Sequence, residues 1–305
     1  NHSVTPALIK ALPGFENLEI YSLISSDDTL KQSPGYVFGG SADGSGLLRG
    51  TFANGRKNFI YIVNHEDNYA VSRVIFDASF KPIKGEYILN SNGGLWRLCS
   101  ATMATPGEQG FGPTYFTSGE SGEESRTHAL NPLEKSFSPT LSKELPALGR
   151  WSAENAVPLH KNAFAGKTII MLGDDDSGVE GGQLAMYMSD AVGDLTNGSV
   201  YVLRRKDINI RERDMTTGNQ YDVEFVKIDN IGTLTGRQVN TATAALSAIR
   251  FGRVEDIDYR KGNGAAAREV YFNVTGQSIS GTNADFSRTK YGRTYKLVMD
   301  KNNPL

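Results

Sequence analysis

Short runs of β-branched and aromatic residues recur along this chain, and most of them are bounded by Gly, Asn, Asp or Ser. Because such runs favour strands and the bounding residues favour turns, the pattern predicts a fold built from many short β-strands. Helical periodicity is scarce, and short helices are predicted only at Thr5–Ala11 and Thr241–Ile249. The predicted strands are Leu18–Ile24, Phe59–Val63, Tyr69–Phe76, Gly94–Ser100, Thr114–Thr117, Thr168–Leu172, Gln183–Met188, Ser199–Leu203, Tyr221–Ile228, Glu269–Val274 and Arg293–Met299.

Many short strands without intervening helices are typical of all-β sandwiches, barrels and propellers, and a length of 305 residues favours a propeller. Two pairs of runs, Phe59–Val63 with Tyr69–Phe76 and Thr168–Leu172 with Gln183–Met188, are predicted to be antiparallel neighbours within blades. The sequence has no strict internal repeat, so it does not predict the number of blades. No Pro-rich or Gly/Ser-rich linker divides the chain, and residues 1–305 are therefore predicted to form a single β domain.

Three segments are predicted to lie outside regular strands. Gly40–Gly50 is rich in glycine but lacks the lysine of a phosphate-binding loop and the spacing of a dinucleotide-binding loop, so a plain loop is predicted. Thr102–Phe111 is the longest turn-rich interval and is a candidate site loop. The chain ends in a turn at Asp300–Leu305. Because the last blade of a propeller closes on the first, we expect the protein to continue beyond Leu305.

The overall charge excludes one class of partner. Lys and Arg number 32 and Asp and Glu number 34, which gives a formal net charge of −2 and no general attraction to nucleic acid. No apolar stretch approaches the roughly 18 residues of a membrane-spanning helix, so no transmembrane segment is predicted. The single cysteine, Cys99, excludes an internal disulfide framework.

Acidic residues are clumped at four places, each at the end of an apolar, strand-like run. Carboxylates that crowd together repel one another unless cations neutralise them, and calcium is a natural partner for clustered carboxylate oxygens. Taken singly, each clump is more typical of a solvated turn, whereas several clumps that meet in the fold would indicate a metal site. The clumps are Val63–Asp67, Thr117–Glu120 with Glu123 and Glu124, Met171–Asp176, and Arg253–Asp256.

Two further residues have both a structural and a chemical interpretation. Cys99 is either a buried core thiol or, as a thiolate, a ligand for a borderline metal such as iron. Arg253 and Glu255 are two residues apart, so on an extended segment they lie on the same side; the arginine could clamp a phosphate, or the two could form a simple surface pair. The motifs Gly-x-Ser-x-Gly, Cys-x-x-Cys and His-Glu-x-x-His are absent, so nothing indicates a serine hydrolase or a zinc site.

Six segments occur in an order that resembles the PhoX-type alkaline phosphatases and their bacterial relatives, over a region from about Pro34 to Leu305. They are Asn64–Glu66, Arg97–Ala101, Ser118–Glu120, Gly149–Val157, Gly173–Asp176 and Arg253–Asp256. The resemblance implies a six-bladed β-propeller, here incomplete at its C-terminus, with a mixed iron and calcium cluster in its central channel. It also implies a bacterial protein exported to the periplasm, the cell surface or the medium, where it would cleave phosphate monoesters.

By position in the family motifs, Cys99 would be an iron ligand and Glu120, Glu154 and Glu255 would bind iron or calcium. Looser candidates for metal ligands are Glu66, Asp174 and Asp175, and Arg253 would hold the substrate phosphate. The chain departs from the family pattern at three places. These are Val254, which replaces the usual proline, Ser118–Glu120, which stands where the phosphatases carry Cys-Glu-Glu, and Pro113, which falls near their substrate-binding asparagine.

The leading prediction is therefore an exported phosphomonoesterase that uses calcium and iron. Pro113 and the Ser118–Glu120 segment favour an alternative, a non-catalytic calcium-binding propeller that serves as a surface or assembly protein. A second alternative is a calcium-dependent esterase or lactonase on the same fold. The sequence predicts no particular protein partner.

Overall fold

The structure is a computed structural model that describes residues 2–93 and 96–305. Within these residues the chain forms fifteen β-strands and one α-helix, α1, at Gly236–Ala245. The strands are β1 Ala42–Thr51, β2 Lys57–His65, β3 Ala70–Asp77, β4 Pro82–Leu89, β5 Leu98–Ala104, β6 Thr114–Gly119, β7 Thr127–Leu130, β8 Ala153–Pro158, β9 Thr168–Asp174, β10 Leu184–Ser189, β11 Ser199–Arg205, β12 Val223–Ile228, β13 Val254–Tyr259, β14 Glu269–Val274 and β15 Arg293–Val298.

The strands form four antiparallel sheets in which strands that are consecutive in sequence lie side by side. Their orders are β1-β2-β3-β4, β5-β6-β7, β8-β9-β10-β11-β12 and β13-β14-β15. The all-β prediction is confirmed, because strands and not helices account for the regular structure. Small sheets of this kind are compatible with propeller blades but none of them is closed, so the propeller stays a prediction.

The chain divides into two compact units. The first comprises Asn1–Leu98 and Glu134–Ser142, and the second comprises Cys99–Leu133 and Lys143–Leu305. The first unit contains the sheet β1–β4, and the other three sheets belong to the second apart from the first residue of β5. The prediction of a single domain over residues 1–305 stays a prediction. Among the described residues, α1 and the shorter helical turns lack the length and apolarity that crossing a bilayer requires.

Strands β9 and β10 are buried on both faces. Ile169 and Met171 of β9 pack into one apolar cluster, whereas Ile170 and Leu172 pack into a second cluster on the opposite face. Because successive side chains of a strand point to opposite faces, burial of both faces requires a continuous apolar run rather than alternation. This run carries the chain directly to the acidic segment at its end, and it therefore positions that segment rigidly.

Several sequence-based predictions of strands are confirmed. Phe59–Val63 pairs with Tyr69–Phe76 in register as parts of β2 and β3, and Thr168–Leu172 pairs with Gln183–Met188 as parts of β9 and β10. The predicted strand Gly94–Ser100 begins at two residues, 94 and 95, that lie outside the described part of the chain, and its remainder overlaps β5.

Other predictions are wrong. Leu18–Ile24 and Thr5–Ala11 form neither strand nor helix: apolar side chains such as Leu8 and Leu18 are exposed, and only the end of the first run, at Leu23 and Ile24, packs against an apolar cluster. Gly40–Gly50 is not a loop: from Ala42 onward it forms β1, because its backbone pairs with that of β2. The helix predicted at Thr241–Ile249 instead occupies Gly236–Ala245.

The helix begins earlier than predicted because of a capping box. The Thr235 hydroxyl accepts a hydrogen bond from Gln238 N (3.2 Å), and the Gln238 side chain accepts one from Thr235 N (2.9 Å). These two bonds satisfy backbone N–H groups that the first turn of a helix leaves without partners.

Candidate metal centre

Five of the predicted site residues meet in the second unit. The donor atoms of Cys99, Glu120 and Glu154 lie within 4.8 Å of one another, and so do those of Glu154, Asp175 and Glu255. Glu154 belongs to both groups. The two groups therefore form one continuous cluster of a thiol and four carboxylates, which is called the metal centre below.

Ends of strands from three sheets supply the metal centre. Cys99 is the second residue of β5, and Glu120 directly follows β6 in the same sheet. Glu154 is the second residue of β8, and Asp175 directly follows β9, the neighbour of β8. Glu255 is the second residue of β13. Because β13 packs beside β8 and β9, and β6 packs beside β8, these strand ends come together.

Two of the carboxylates lie at irregularities of their sheets. Between β8 and β9 the register shifts between Ala153 and Asn155, so Glu154 is an extra residue without a partner on β9. Between β13 and β14 the register shifts between Val254 and Ile257, which places Glu255 in a second bulge. A bulge turns a side chain away from the regular alternation of the strand, and bulges recur next to functional sites.

A glycine allows the acidic segment after β9 to approach the start of β13. A Cβ atom at Gly182 would overlap the carbonyl oxygen of Asp174 and would lie 2.9 Å from Val254 N. The Gly182 N–H donates to Phe251 O (2.9 Å), and the Phe251 N–H donates back to Gly182 O (3.0 Å). Only glycine permits this close approach of backbone to backbone.

Glu154, the residue shared by both donor groups, is buried. Only 6% of its surface is exposed. Burial, together with the nearby carboxylates of Glu255, Glu120 and Asp175, raises its pKa to about 8, against the lowering effect of a hydrogen bond from Ser100. Without a cation, this carboxyl group therefore holds a proton near neutral pH.

The neighbouring carboxylates share this behaviour. Burial raises the pKa of Asp175 to about 6 and the Glu120 carboxylate contributes in the same direction, although Arg253 lowers it. Burial also raises the pKa of Glu255, while a hydrogen bond from the Thr275 hydroxyl lowers it. Several raised carboxyl pKa values in one cluster indicate negative charge in excess of what the protein itself neutralises.

Arg253 lies at the edge of the metal centre. Its Nε and Nη2 donate to the two carboxylate oxygens of Asp175, both at 2.7 Å, and Nη2 lies 3.3 Å from Glu255 Oε1. The predicted proximity of Arg253 and Glu255 is therefore correct, but its reason is not the two-residue period of a strand. Arg253 precedes β13 with a left-handed backbone (φ 69°), and Glu255 lies in the bulge.

Hydrogen bonds to the ligand candidates come from residues that the sequence did not single out. The Ser100 hydroxyl lies 2.7 Å from Glu154 Oε1 and 2.8 Å from Asp256 Oδ1. Since a hydroxyl has one proton to donate, it bonds one of these carboxylates at a time, which fits a Glu154 that carries its own proton. The Cys99 thiol donates to Glu120 Oε2 (3.3 Å). Ser100 lies within the segment Arg97–Ala101 but was not a predicted site residue, and no pattern in the sequence marks Thr275.

Two further predicted ligands have contacts of their own. Asp174 is buried beside it, but its Oδ1 accepts from Ser152 N (3.0 Å), and burial followed by the charges of Asp176 and Asp175 raises its pKa well above the usual range. Glu66 belongs to the first unit, where its carboxylate forms an ion pair with Arg97 Nε at 2.7 Å.

The donor set fits two kinds of ion. Glu154, Asp175 and Glu255 offer carboxylate oxygens alone, which suits calcium. Oxygens on opposite sides of a calcium ion are about 4.6–5.2 Å apart, so donor atoms that all lie within 4.8 Å of one another can reach the same ion. Cys99 adds sulfur to the group with Glu120 and Glu154, and a mixed sulfur and oxygen set suits a borderline metal such as iron.

A scan against models of known protein families found no match to this sequence, and a search of curated proteins found none either. The likeness to the PhoX-type phosphatases therefore rests on the six sequence segments and stays a prediction.

Proposed function

We propose that this protein is an exported, bacterial, metal-dependent phosphomonoesterase on a six-bladed β-propeller, with calcium and iron as its cations. The observation that supports the proposal most strongly is the pair of donor groups that share Glu154, with Arg253 at their edge. Phosphate is the substrate group that such a site suits, because a cluster of cations and a guanidinium attract a doubly charged anion.

The residues of the metal centre divide between the ions. Cys99, Glu120 and Glu154 would hold iron, and Glu154, Asp175 and Glu255 would hold calcium. When bound, these cations would supply Lewis-acid stabilisation of the phosphoryl oxygens.

Arg253 would hold the phosphate of the substrate. Its two hydrogen bonds to Asp175 use Nε and Nη2, so they leave the N–H groups of Nη1 for a phosphate oxygen. About a third of the side chain, 35%, is exposed, so a substrate can reach it. The fork of Asp175 holds the guanidinium plane in one orientation, and that preorganisation is what stabilises charge in a transition state.

One observation favours the alternative of a non-catalytic calcium-binding propeller. Arg253 already contacts two carboxylates of the centre, Asp175 and Glu255, and in that role it neutralises charge without any substrate. The substitutions at Pro113 and Ser118–Glu120 point in the same direction.

Metal analysis combined with an activity assay tests the proposal. The purified protein, supplied with calcium and iron, is assayed with p-nitrophenyl phosphate at alkaline pH, and its metals are measured by X-ray fluorescence. We expect both metals and hydrolysis, with activity reduced about 100-fold or more in Arg253→Met because a charge-stabilising group is lost. The control Arg204→Met removes an arginine that pairs with Glu224 outside the centre, and it should keep full activity. A fully loaded protein that binds calcium alone and hydrolyses no aryl phosphate would establish the non-catalytic alternative.

A further inference from the structure

A cleft of about 400 Å³ opens beside the metal centre in the second unit. Its walls come from β5, β8 and β13 and from the segment after β5, part of the interval Thr102–Phe111 that the sequence predicts as a site loop. The lining of the cleft includes the polar side chains of Glu108, Asn155, Asp256, Asp258, Tyr259 and Lys261. This space is called the acidic cleft below.

The Ser100 hydroxyl contacts one carboxylate of the metal centre and one carboxylate of the acidic cleft. The Ser100 Oγ lies 2.7 Å from Glu154, the residue shared by both donor groups, and 2.8 Å from Asp256, which lines the cleft. Glu255 and Asp256 are consecutive residues of the same bulge, and so one side chain belongs to each site. If the phosphate of a monoester binds at the metal centre, its alcohol portion therefore extends either into the acidic cleft or into solvent.

Two hydrogen-bond acceptors at the cleft, on Asn155 and Asp256, have unused capacity. Asn155 is 5% exposed, and its Oδ1 is buried without a hydrogen-bond partner. Both hydrogen bonds to Asp256, from Ser100 and Asn155, reach Oδ1, so they leave Oδ2 available. A buried acceptor without a partner is costly and indicates a group that a ligand or water satisfies.

The charge of the cleft is negative overall. Three carboxylates face it, from Glu108, Asp256 and Asp258, against one ammonium group. That ammonium group, on Lys261, lies 2.9 Å from Asp258 and 3.3 Å from Glu108, and it also covers the ring of Tyr259 at 3.9 Å. Glu108 and Asp258 are thus already paired, whereas Asp256 has no cation of its own among these contacts.

We infer that the acidic cleft binds the alcohol part of the substrate and selects an alcohol that carries an amine, so that the substrate class is a phosphorylated amino alcohol. An ammonium group would donate to Asp256 Oδ2 and to Asn155 Oδ1 and would balance the excess negative charge. A leaving group with a second anionic charge, such as the remaining phosphates of a nucleotide, is repelled by the same carboxylates. This inference rests on the proposed function, because it takes the metal centre to be the phosphate site.

Comparative binding tests the inference independently of turnover. Calcium-loaded protein is titrated by calorimetry with O-phosphoethanolamine and with glycerol 2-phosphate, which carry the same phosphate but differ in the amine. We expect the amine to bind roughly tenfold more tightly, the order expected for contacts with exposed carboxylates together with one buried acceptor. In the variant Asp256→Asn/Asp258→Asn this preference should fall to within about twofold at unchanged calcium content.

A matched control separates local from general charge effects. The variant Asp229→Asn/Asp300→Asn removes two exposed carboxylates that do not line the cleft, and it should keep the preference of the unmodified protein. Equal affinity for the two esters, no binding of either, or a preference that survives in Asp256→Asn/Asp258→Asn would overturn the inference. Hydrolysis of p-nitrophenyl phosphate is measured in parallel. If hydrolysis is absent, the proposed phosphatase function is contradicted. The inference about the amine is decided separately, by the difference in affinity between the two esters.

Discussion

In the first unit, a buried polar cluster joins His65, Ser72 and Tyr36, whereas in the second unit the metal centre joins a thiol and four carboxylates. Ser72 Oγ lies 2.6 Å from His65 Nε2 and 2.7 Å from the Tyr36 hydroxyl. Burial lowers the pKa of His65 to about 4, so this cluster is neutral at physiological pH. It is also enclosed by the rings of Phe38 and Tyr87.

The two buried polar clusters differ in how their charge is balanced. The cluster around Ser72 joins neutral groups through hydrogen bonds and close ring packing, and although His65 Nδ1 is buried without a hydrogen-bond partner, the cluster carries no excess charge. The metal centre instead concentrates carboxylates that raise one another's pKa values, with Arg253 as the cation in contact with it. Charge without compensation, rather than burial or polarity, is the property that points to bound ions.

After removal of calcium by a chelator, we expect a strong dependence of stability on pH. Below pH 4.5 Glu154 is neutral in both states; from pH 4.5 to about 8 the unfolded chain ionises while the folded chain keeps its proton, so the free energy of unfolding falls. Asp175 acts in the same direction between pH 3.8 and about 6. The combined loss should be on the order of 5 kcal/mol. Thermal unfolding with EDTA and with calcium, at pH 5 and pH 8.5, measures it, and an equal calcium effect at both pH values would contradict it.

Glu154→Gln should stabilise the metal-free protein at high pH, where the ionisable Glu154 destabilises it. Glutamine has no charge to desolvate, so at pH 8.5 the metal-free variant should be more stable than the metal-free unmodified protein, by on the order of 2–3 kcal/mol. The same variant should bind calcium at least tenfold more weakly, because both donor groups lose a carboxylate. Glu224→Gln, at a half-exposed residue paired with Arg204, is the control and should change neither quantity. Unchanged calcium occupancy in Glu154→Gln would remove this residue from the metal centre.

Gly182→Ala tests the close approach that brings the strand ends together. The added methyl group would overlap Asp174 O, so we expect a loss of about 1–3 kcal/mol in unfolding free energy and weaker calcium binding. Gly107→Ala is the matched control, because an added Cβ there meets nothing within 4 Å, and it should change stability by less than about 0.5 kcal/mol. Urea unfolding of both variants measures the difference, and equal stabilities would contradict the prediction.

His65→Gln should change the pH dependence of stability at acid pH, whereas the metal centre affects it at neutral and alkaline pH. Because the pKa of His65 is lowered, its contribution to stability is complete above pH 6.5 and is lost as the pH falls towards 4. Buried His128 in the second unit has its pKa lowered to about 4 in the same way, so the variant should remove about half of the loss of stability on the acid side. Urea unfolding between pH 4 and 7 measures this loss, with His2→Gln at an exposed position as the control. A pH profile identical to that of the unmodified protein would show that His65 titrates normally.

Strands that consist of continuous apolar runs were predictable from the sequence. Strands that are held in a sheet mainly by backbone hydrogen bonds were not. Thr168–Leu172 was predicted correctly because both of its faces pack into apolar clusters, which requires apolar residues at successive positions of the sequence. In β1, residues such as Ser45 and Gly46 are held by backbone hydrogen bonds to β2, which leave no mark on side-chain identity. The apolar run Leu18–Ile24 does not form a strand: Leu18, Ile20 and Tyr21 are exposed, so apolar composition by itself did not secure a place in a sheet.

The all-β class and the kinds of ligand atom available could be predicted from the sequence, because strand propensity and side-chain chemistry are local properties. Which acids meet could not be predicted in this way. Glu154 and Glu255 enter the metal centre through bulges, and Asp174 is turned away from it although it adjoins Asp175. Whether two distant carboxylates approach within a few ångströms depends on strand register and on backbone contacts such as that at Gly182, and these are set by the packing of whole sheets.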